Sequence, residues 1–208
     1  MIHSRREAVA LAVISCALAA LVRLLPDDAG VIRELARTLG VLAWIAPAYA
    51  VAARRGVDPL VAHGVLVRPS RAASSLGLAA LTLPVYALGF VALAPRFGLP
   101  PVSHDLALLA RTAATVFAWH LVFVALPEEY LFRGVLQPAL GGGARGVVLA
   151  SAAFALAHVV FDRDPLRAIV FFPGLAFGWL RWRTGSVVPG VAFHAACNAL
   201  DLALRGAR

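Results

Sequence analysis

Residues 121–140 read LVFVALPEEYLFRGVLQPAL, an apolar stretch that carries two adjacent glutamates, Glu128 and Glu129. The surrounding residues are typical of a helix inside a bilayer, where a carboxylate costs several kcal/mol by insertion scales. Two such groups are therefore expected to have partners or a chemical role. The functional interpretation of the chain depends on what each glutamate faces.

The composition is that of an integral membrane protein. Of the 208 residues, 61% are hydrophobic and 14% are charged, whereas soluble domains average about 25% charged residues. The net charge of +8 comes from arginine alone, and the arginines are spread over short segments between apolar runs. This distribution favours the positive-inside pattern of membrane proteins over nucleic-acid binding. Cys16 and Cys197 lie in apolar runs and indicate neither a disulfide framework nor a cysteine-based zinc motif.

Apolar runs of membrane-spanning length recur along the chain. We expect an all-α fold, a polytopic transmembrane bundle of about seven helices with a buried polar site, forming one integral-membrane domain over residues 1–208. The fourth run is longer than a bilayer requires and is expected to be tilted or broken at Pro127. Residues 54–73 are expected to lie along the membrane interface. The predicted helices cover residues 7–25, 35–53, 74–95, 106–138, 146–161, 166–181 and 186–204.

Loop charge predicts the orientation of the bundle. Arginines concentrate in alternate loops, which are expected to be cytoplasmic, so the N-terminus is predicted to be inside. The arginine-only, compact chain is typical of bacteria, and the expected location is the bacterial inner membrane. The arginines that carry this prediction are Arg5, Arg6, Arg54, Arg55, Arg68, Arg71, Arg145, Arg181 and Arg183.

The two glutamates are expected to have different surroundings. Glu129 and Arg133 are spaced i,i+4 with the acid first, which is the favoured orientation of a helical ion pair. Glu128 lies about 100° around the helix from Glu129 and points elsewhere. A buried glutamate without such a partner is a candidate general base or acid.

Three further polar residues are expected at a similar depth in the membrane. With the 1.5 Å helical rise, Glu128 lies about 15 Å from the nearest inner loop, His158 about 18 Å and His194 about 12 Å. Asn198 follows His194 at i,i+4 and projects from the same helix face. Three separate helices thus place polar groups near one level, which favours a shared site.

Packing is the alternative explanation for each of these residues taken singly. An isolated histidine in a helical bundle is more often a hydrogen-bonded packing residue than a catalyst, and an asparagine often joins membrane helices. Glu129 with Arg133 is expected to be structural. His120 precedes Glu128 by two turns; the sequence shows no partner for it, and a packing or supporting role is expected.

The motifs in this part of the chain resemble those of one protease family. EEYLFR at 128–133 matches EExxxR, FALAH at 154–158 matches FxxxH, and HAACN at 194–198 matches HxxxN. Their order resembles the CPBP family of intramembrane proteases, which contains the CAAX prenyl proteases and bacterial relatives. The resemblance implies a catalytic core over about residues 106–204.

The resemblance also implies roles for the site residues. Glu128 with His158 would activate a water for attack on a peptide carbonyl, and His194 with Asn198 would stabilise the oxyanion. Glu129 and Arg133 would shape the site. No cofactor is then required, although Glu128, His158 and His194 would also make a plausible zinc ligand set with an open position.

The expected function is an intramembrane endopeptidase of glutamic type that cleaves a membrane-associated protein or peptide. Membrane lipids are the expected surroundings, and no nucleic-acid partner is expected. Bacterial relatives are linked to bacteriocin maturation or immunity, and some, the myxosortases, remove membrane sorting tails; a sorting protease would suit a chain this short. The alternatives are a noncatalytic immunity or scaffold protein and a proton-coupled transporter, although no inverted repeat is visible.

Overall fold

The computed structural model describes residues 2–23, 30–66, 69–93 and 106–205. Every regular element in these ranges is helical, which confirms the predicted all-α fold. A long helical stretch lies at each predicted position, although residues 24–25 and 94–95 of the first and third predicted helices lie outside the described ranges. The α-helices are α1 Arg5–Arg23, α2 Gly30–Arg54, α3 Pro59–Ala62, α4 Pro69–Leu93, α5 Leu106–His120, α6 Leu126–Glu129, α7 Gln137–Ala139, α8 Gly143–Asp162, α9 Phe171–Thr184 and α10 Val188–Arg205.

The fourth predicted helix is continuous, because α5, α6 and α7 are joined by two π-helical segments, Leu121–Ala125 and Tyr130–Leu136. The expected break at Pro127 does not occur. A proline lacks an N–H and its ring crowds the carbonyl four residues earlier. Each π segment ends two residues before a proline, Pro127 or Pro138. The wider turns accommodate the prolines without ending the helix.

The number of membrane spans stays a prediction. Among the described helices, only α8 is both long and apolar enough to cross a membrane, with a mean hydropathy of 1.8. Shorter apolar helical stretches lie at Gly40–Arg54 and Leu76–Val85. Helix α9 has only 14 residues. Its predicted start is replaced by a 3₁₀ turn, Pro165–Val170, which Asp164 caps by accepting a hydrogen bond from the N–H of Leu166.

The helices that carry the polar motifs pack around one aromatic core. Helix α8 lies along α9, α10 lies against α4 and α5, and the π segment Tyr130–Leu136 contacts α1, α2 and α8. Phe132, Phe154 and Phe177 are buried at the centre of this packing. The chain therefore brings the motif-bearing helices together around a common interior.

The N-terminal segment is held against this core by two histidines. Nε2 of His3 lies 3.0 Å from Nε2 of His63, and Nδ1 of His63 lies 2.7 Å from the hydroxyl of Tyr130, beside Glu129 in the chain. Glu7 extends the contact through a two-oxygen pairing with Arg55, at 2.7 and 3.0 Å. His63 follows α3 in the segment predicted to lie at the interface, and its side chain is buried.

We predict that this anchor weakens on acidification. Burial, and to a smaller extent the neighbouring His3, lowers the pKa of His63 from 6.5 to about 4. The unfolded chain therefore binds a proton between about pH 6.5 and 4 that the folded protein excludes, so stability falls as the pH drops through this window. Melting temperatures in detergent should decline less steeply over this window in His63→Phe than in the wild type. Identical slopes would contradict the assignment.

Candidate active site

Glu129 and Arg133 form the ion pair that their spacing predicts. Arg133 Nη1 lies 3.2 Å from Glu129 Oε1, and neither side chain is exposed to solvent. Arg133 Nη2 also donates to the carbonyl of Gly174 at 3.1 Å, which links the glutamate helix to α9. The guanidinium carbon lies 4.4 Å from the centroid of the Phe154 ring and 5.3 Å from that of Phe177. Cation–π contacts thus add to the ion pair in a desolvated setting.

A glycine lies close to each member of this ion pair. A Cβ at Gly174 would lie 3.1 Å from Arg133 Nη2, and a Cβ at Gly190 would lie 3.1 Å from Glu129 Oε2. Both distances are shorter than ordinary side-chain contacts. The missing side chains let α9 and α10 approach the charged pair closely enough to exclude water.

His194 connects Glu129 to the rest of the site. Its Nδ1 lies 3.1 Å from Glu129 Oε1, and a carboxylate accepts here, so Nδ1 carries the proton and donates. The imidazole stacks on Phe177, with ring centroids 4.7 Å apart. These contacts hold the ring so that Nε2 is directed toward Glu128, at 3.8 Å from its Oε2. Glu129 therefore orients a site residue in addition to pairing with Arg133, which sequence spacing alone does not reveal.

Glu128 faces two histidines from two other helices, as predicted. Its Oε2 lies 4.0 Å from Nε2 of His158 on α8 and 3.8 Å from Nε2 of His194 on α10. Among the described residues this buried oxygen has no hydrogen-bond partner. His158 donates from Nδ1 to the carbonyl of Phe154 at 3.0 Å. Both imidazoles thus commit Nδ1 to a protein acceptor and present Nε2 to the same carboxylate oxygen.

Asn198 lies one turn beyond His194 on α10, and its contact is with His120. The Nδ2 of Asn198 lies 2.9 Å from Nδ1 of His120. This pairing gives His120 the partner that the sequence did not show. It also places Asn198 beside the end of α5. His120 is therefore a fifth polar side chain next to the predicted set of Glu128, His158, His194 and Asn198.

The comparisons with known proteins agree with this arrangement. Residues 110–200, a little under half of the chain, match the family model described as type II CAAX prenyl endopeptidase Rce1-like. Over these residues, the chain is similar to the Rce1-like proteases of the CPBP family. The search of curated proteins found no match, and neither did the search of solved structures. The family is one of membrane-embedded proteases and points to CAAX-type intramembrane protease activity.

The ligand atoms of the candidate site are spaced more widely than those of a zinc site. Zinc binds nitrogen and oxygen ligands at about 2.0–2.2 Å, so tetrahedral ligand atoms lie about 3.3–3.6 Å apart. The two histidine nitrogens lie 3.8 and 4.0 Å from Glu128 Oε2. Across the described ranges, no group of three or more His, Cys, Asp or Glu residues has the spacing to hold a metal ion. Zinc binding by Glu128, His158 and His194 would require these side chains to move closer together.

Two features of the site were missed in the sequence. One is the pairing of His63 with Tyr130, which ties the residue after Glu129 to the N-terminal segment. The other is Cys16 on α1, which lies within electrostatic range of Glu128. Neither residue belongs to a motif, and their contacts join positions far apart in the chain, so no local pattern indicates them.

We predict that Arg133→Met destabilises this Rce1-like protein far more than Arg55→Met. Removing one partner of a buried pair costs about 3–5 kcal/mol because the other charge stays buried. The Arg55–Glu7 pair has side chains that are 44% and 26% exposed, and exposed pairs contribute about 0–1 kcal/mol. Unfolding in detergent, followed by tryptophan fluorescence, measures both variants.

The double variant Glu129→Gln with Arg133→Met provides the internal control. It should lose less stability than the two single variants combined, because no unpaired charge remains. Equal losses in Arg133→Met and Arg55→Met would contradict the role given to the buried pair.

Proposed function

We propose that this chain is an intramembrane endopeptidase that hydrolyses a peptide bond of a membrane-associated protein or peptide. The observation that carries the proposal is the position of Glu128 Oε2, buried, without a direct hydrogen-bond partner among the described residues, and faced by two histidine nitrogens. Structural carboxylates in membrane interiors are paired, as Glu129 is. Glu128 is thus the group whose placement packing does not explain.

The hydrogen-bonding capacities around Glu128 favour a water molecule. A neutral imidazole that donates from Nδ1 has an acceptor at Nε2, and an ionised carboxylate only accepts. Glu128 and His158 therefore present acceptors to each other across 4.0 Å, while Nε2 of His194 lies 3.8 Å from the same carboxylate oxygen. Separations of this size are too long for direct bonds and suit a bridging water, which supplies two O–H donors.

In the proposed reaction, Glu128 takes a proton from this water as the water oxygen attacks the peptide carbonyl carbon. His158 holds the second O–H through Nε2, because its Nδ1 proton is committed to the Phe154 carbonyl. The carbonyl electron pair moves onto oxygen and forms a tetrahedral oxyanion. Glu128 then gives the proton to the departing amine as the C–N bond breaks, so one water is consumed for each bond cleaved.

His194 and Asn198 are proposed to stabilise the oxyanion. For His194 to donate from Nε2 while Nδ1 donates to Glu129, its ring must carry both protons and a positive charge before the water attacks, and it keeps them throughout the reaction. The ionised Glu129 stabilises that charge, as the aspartate does in serine-protease triads. Loss of one such donor typically costs about 10²–10³ in kcat.

The rest of the environment is proposed from the family and the charge pattern. Lipids surround the bundle, the N-terminus is cytoplasmic, and the membrane is the bacterial inner membrane. We propose that the reaction requires no metal, which is supported by the wide ligand separations; zinc held by Glu128, His158 and His194 is the alternative.

The test compares protein termini, by mass spectrometry, in cells producing the wild type or the Glu128→Ala variant. We expect termini that depend on the wild type and disappear in both Glu128→Ala and His158→Ala, at unchanged protein level and melting temperature. Glu7→Gln is the matched control, because it changes a carboxylate remote from the motifs and should keep cleavage. Unchanged termini in both site variants would overturn the proposal.

The same purified protein decides between the two forms of the mechanism. We expect elemental analysis to find far less than one zinc per chain, and cleavage to persist in a chelator. One zinc per chain, lost together with cleavage on chelation, would overturn the metal-free mechanism and leave the endopeptidase in place. Loss of melting temperature in Glu128→Ala, without any change in termini, would instead support a noncatalytic packing role.

A further inference from the structure

His120 contributes a specific hydrogen bond to the site from the end of α5. Its ring is half-buried, and its Nδ1 lies 2.9 Å from the Asn198 amide nitrogen. An amide N–H donates, so Nδ1 of His120 accepts and the neutral ring carries its proton on Nε2. His120 also lies within electrostatic range of His194, one turn before Asn198 on α10. His120 thus forms a hydrogen bond with Asn198 and interacts electrostatically with His194, the two residues proposed as oxyanion donors.

The first π segment explains how His120 reaches the site. Eight residues of ideal α-helix turn about 800°, which would leave His120 about 80° around the axis from Glu128. Residues Leu121–Ala125 between them are π-helical, and i→i+5 turns rotate less per residue than α turns. The accumulated rotation falls, and His120 moves toward the face that carries Glu128. The π-helical segment before Pro127 thus accommodates the proline and also turns His120 toward the site.

Asn198 needs an external partner to hold its amide in one orientation. The terminal torsion of asparagine is broad, so the rotamer alone does not fix which way the N–H groups point. The bond to His120 uses one N–H and defines the amide plane, and the second N–H is then fixed in direction. His194 is oriented in the same manner by Glu129, at 3.1 Å. The helical stretch that carries Glu128 therefore orients two proposed donor residues on α10, His194 through Glu129 and Asn198 through His120.

We propose that His120 is a positioning residue that fixes the Asn198 amide for oxyanion stabilisation and does not itself contact the substrate. This inference rests on the proposed endopeptidase function. It assigns a role to a residue outside the three motifs, and it makes the wider helix turn at 121–125 part of the catalytic architecture.

Two substitutions at one position separate this role from packing. In His120→Asn the side-chain carbonyl oxygen takes the place of Nδ1 and accepts from Asn198. In His120→Gln the acceptor lies one bond further out, near the former Nε2. The assay uses a quenched-fluorescent peptide that contains a cleavage site found in the comparison of termini. We expect His120→Gln to lower kcat about 10–100-fold at nearly unchanged KM, since small misplacements of catalytic groups cost this much. His120→Asn should stay within about fivefold of the wild type.

The double variant His120→Gln with Asn198→Ala gives the decisive readout. Because His120 acts through Asn198, it should be no slower than Asn198→Ala alone, whereas Trp119→Phe, an exposed neighbour, should leave kcat unchanged. Equal loss in His120→Asn and His120→Gln would overturn the proposal, and so would a full additional loss in the double variant. If Asn198→Ala keeps its kcat while Glu128→Gln is inactive, the positioning role fails and the endopeptidase stands. If Glu128→Gln is active, the endopeptidase itself fails.

Discussion

The buried pair of Glu129 and Arg133 is the constraint around which the described core is arranged. Neither side chain is exposed to solvent, and residues from three other helices contact the two charged groups. The Gly174 carbonyl accepts from the guanidinium, the Phe154 ring faces it, and His194 donates to the carboxylate. A desolvated ion pair depends on such additional contacts, although Glu129 Oε2 and Arg133 Nε remain buried without a hydrogen bond among the described residues. These contacts fix α8, α9 and α10 against the glutamate helix.

This arrangement gives two adjacent glutamates opposite roles. Glu129 is enclosed by the guanidinium of Arg133, the imidazole of His194 and the closely approaching Gly190. Glu128, one residue earlier, faces two nitrogens at distances too long for direct bonding. The rigid pair therefore holds the neighbouring Glu128 in place, although Oε2 of Glu128 makes no direct hydrogen bond. Such a cost in stability is expected at a catalytic site. The same helix carries the second glutamate that orients His194 and the histidine that meets Asn198.

The local part of this architecture was predictable from the sequence. The i,i+4 spacing predicted the Glu129–Arg133 pair, and helical rise placed Glu128, His158 and His194 at one level. The long-range part was not predictable, because its contacts join residues distant in the chain, as in the pairs His120–Asn198 and His63–Tyr130. The single span over residues 106–138 was predicted, but whether it breaks at Pro127 was left open, since the compensating π turn has no sequence signature. The number of membrane spans was predicted from apolar runs, and one described helix, α8, is both long and apolar enough to cross a membrane.

The division of roles between the two glutamates is tested most directly by the melting temperatures of Glu128→Gln and Glu129→Gln, measured in the same detergent. Glu128 Oε2 is buried without a direct hydrogen bond, so Glu128→Gln removes a partly desolvated charge and should melt at or above the wild type. Glu129→Gln leaves Arg133 buried without its counter-ion and should melt several degrees lower. An equal loss of melting temperature in both variants would contradict the account.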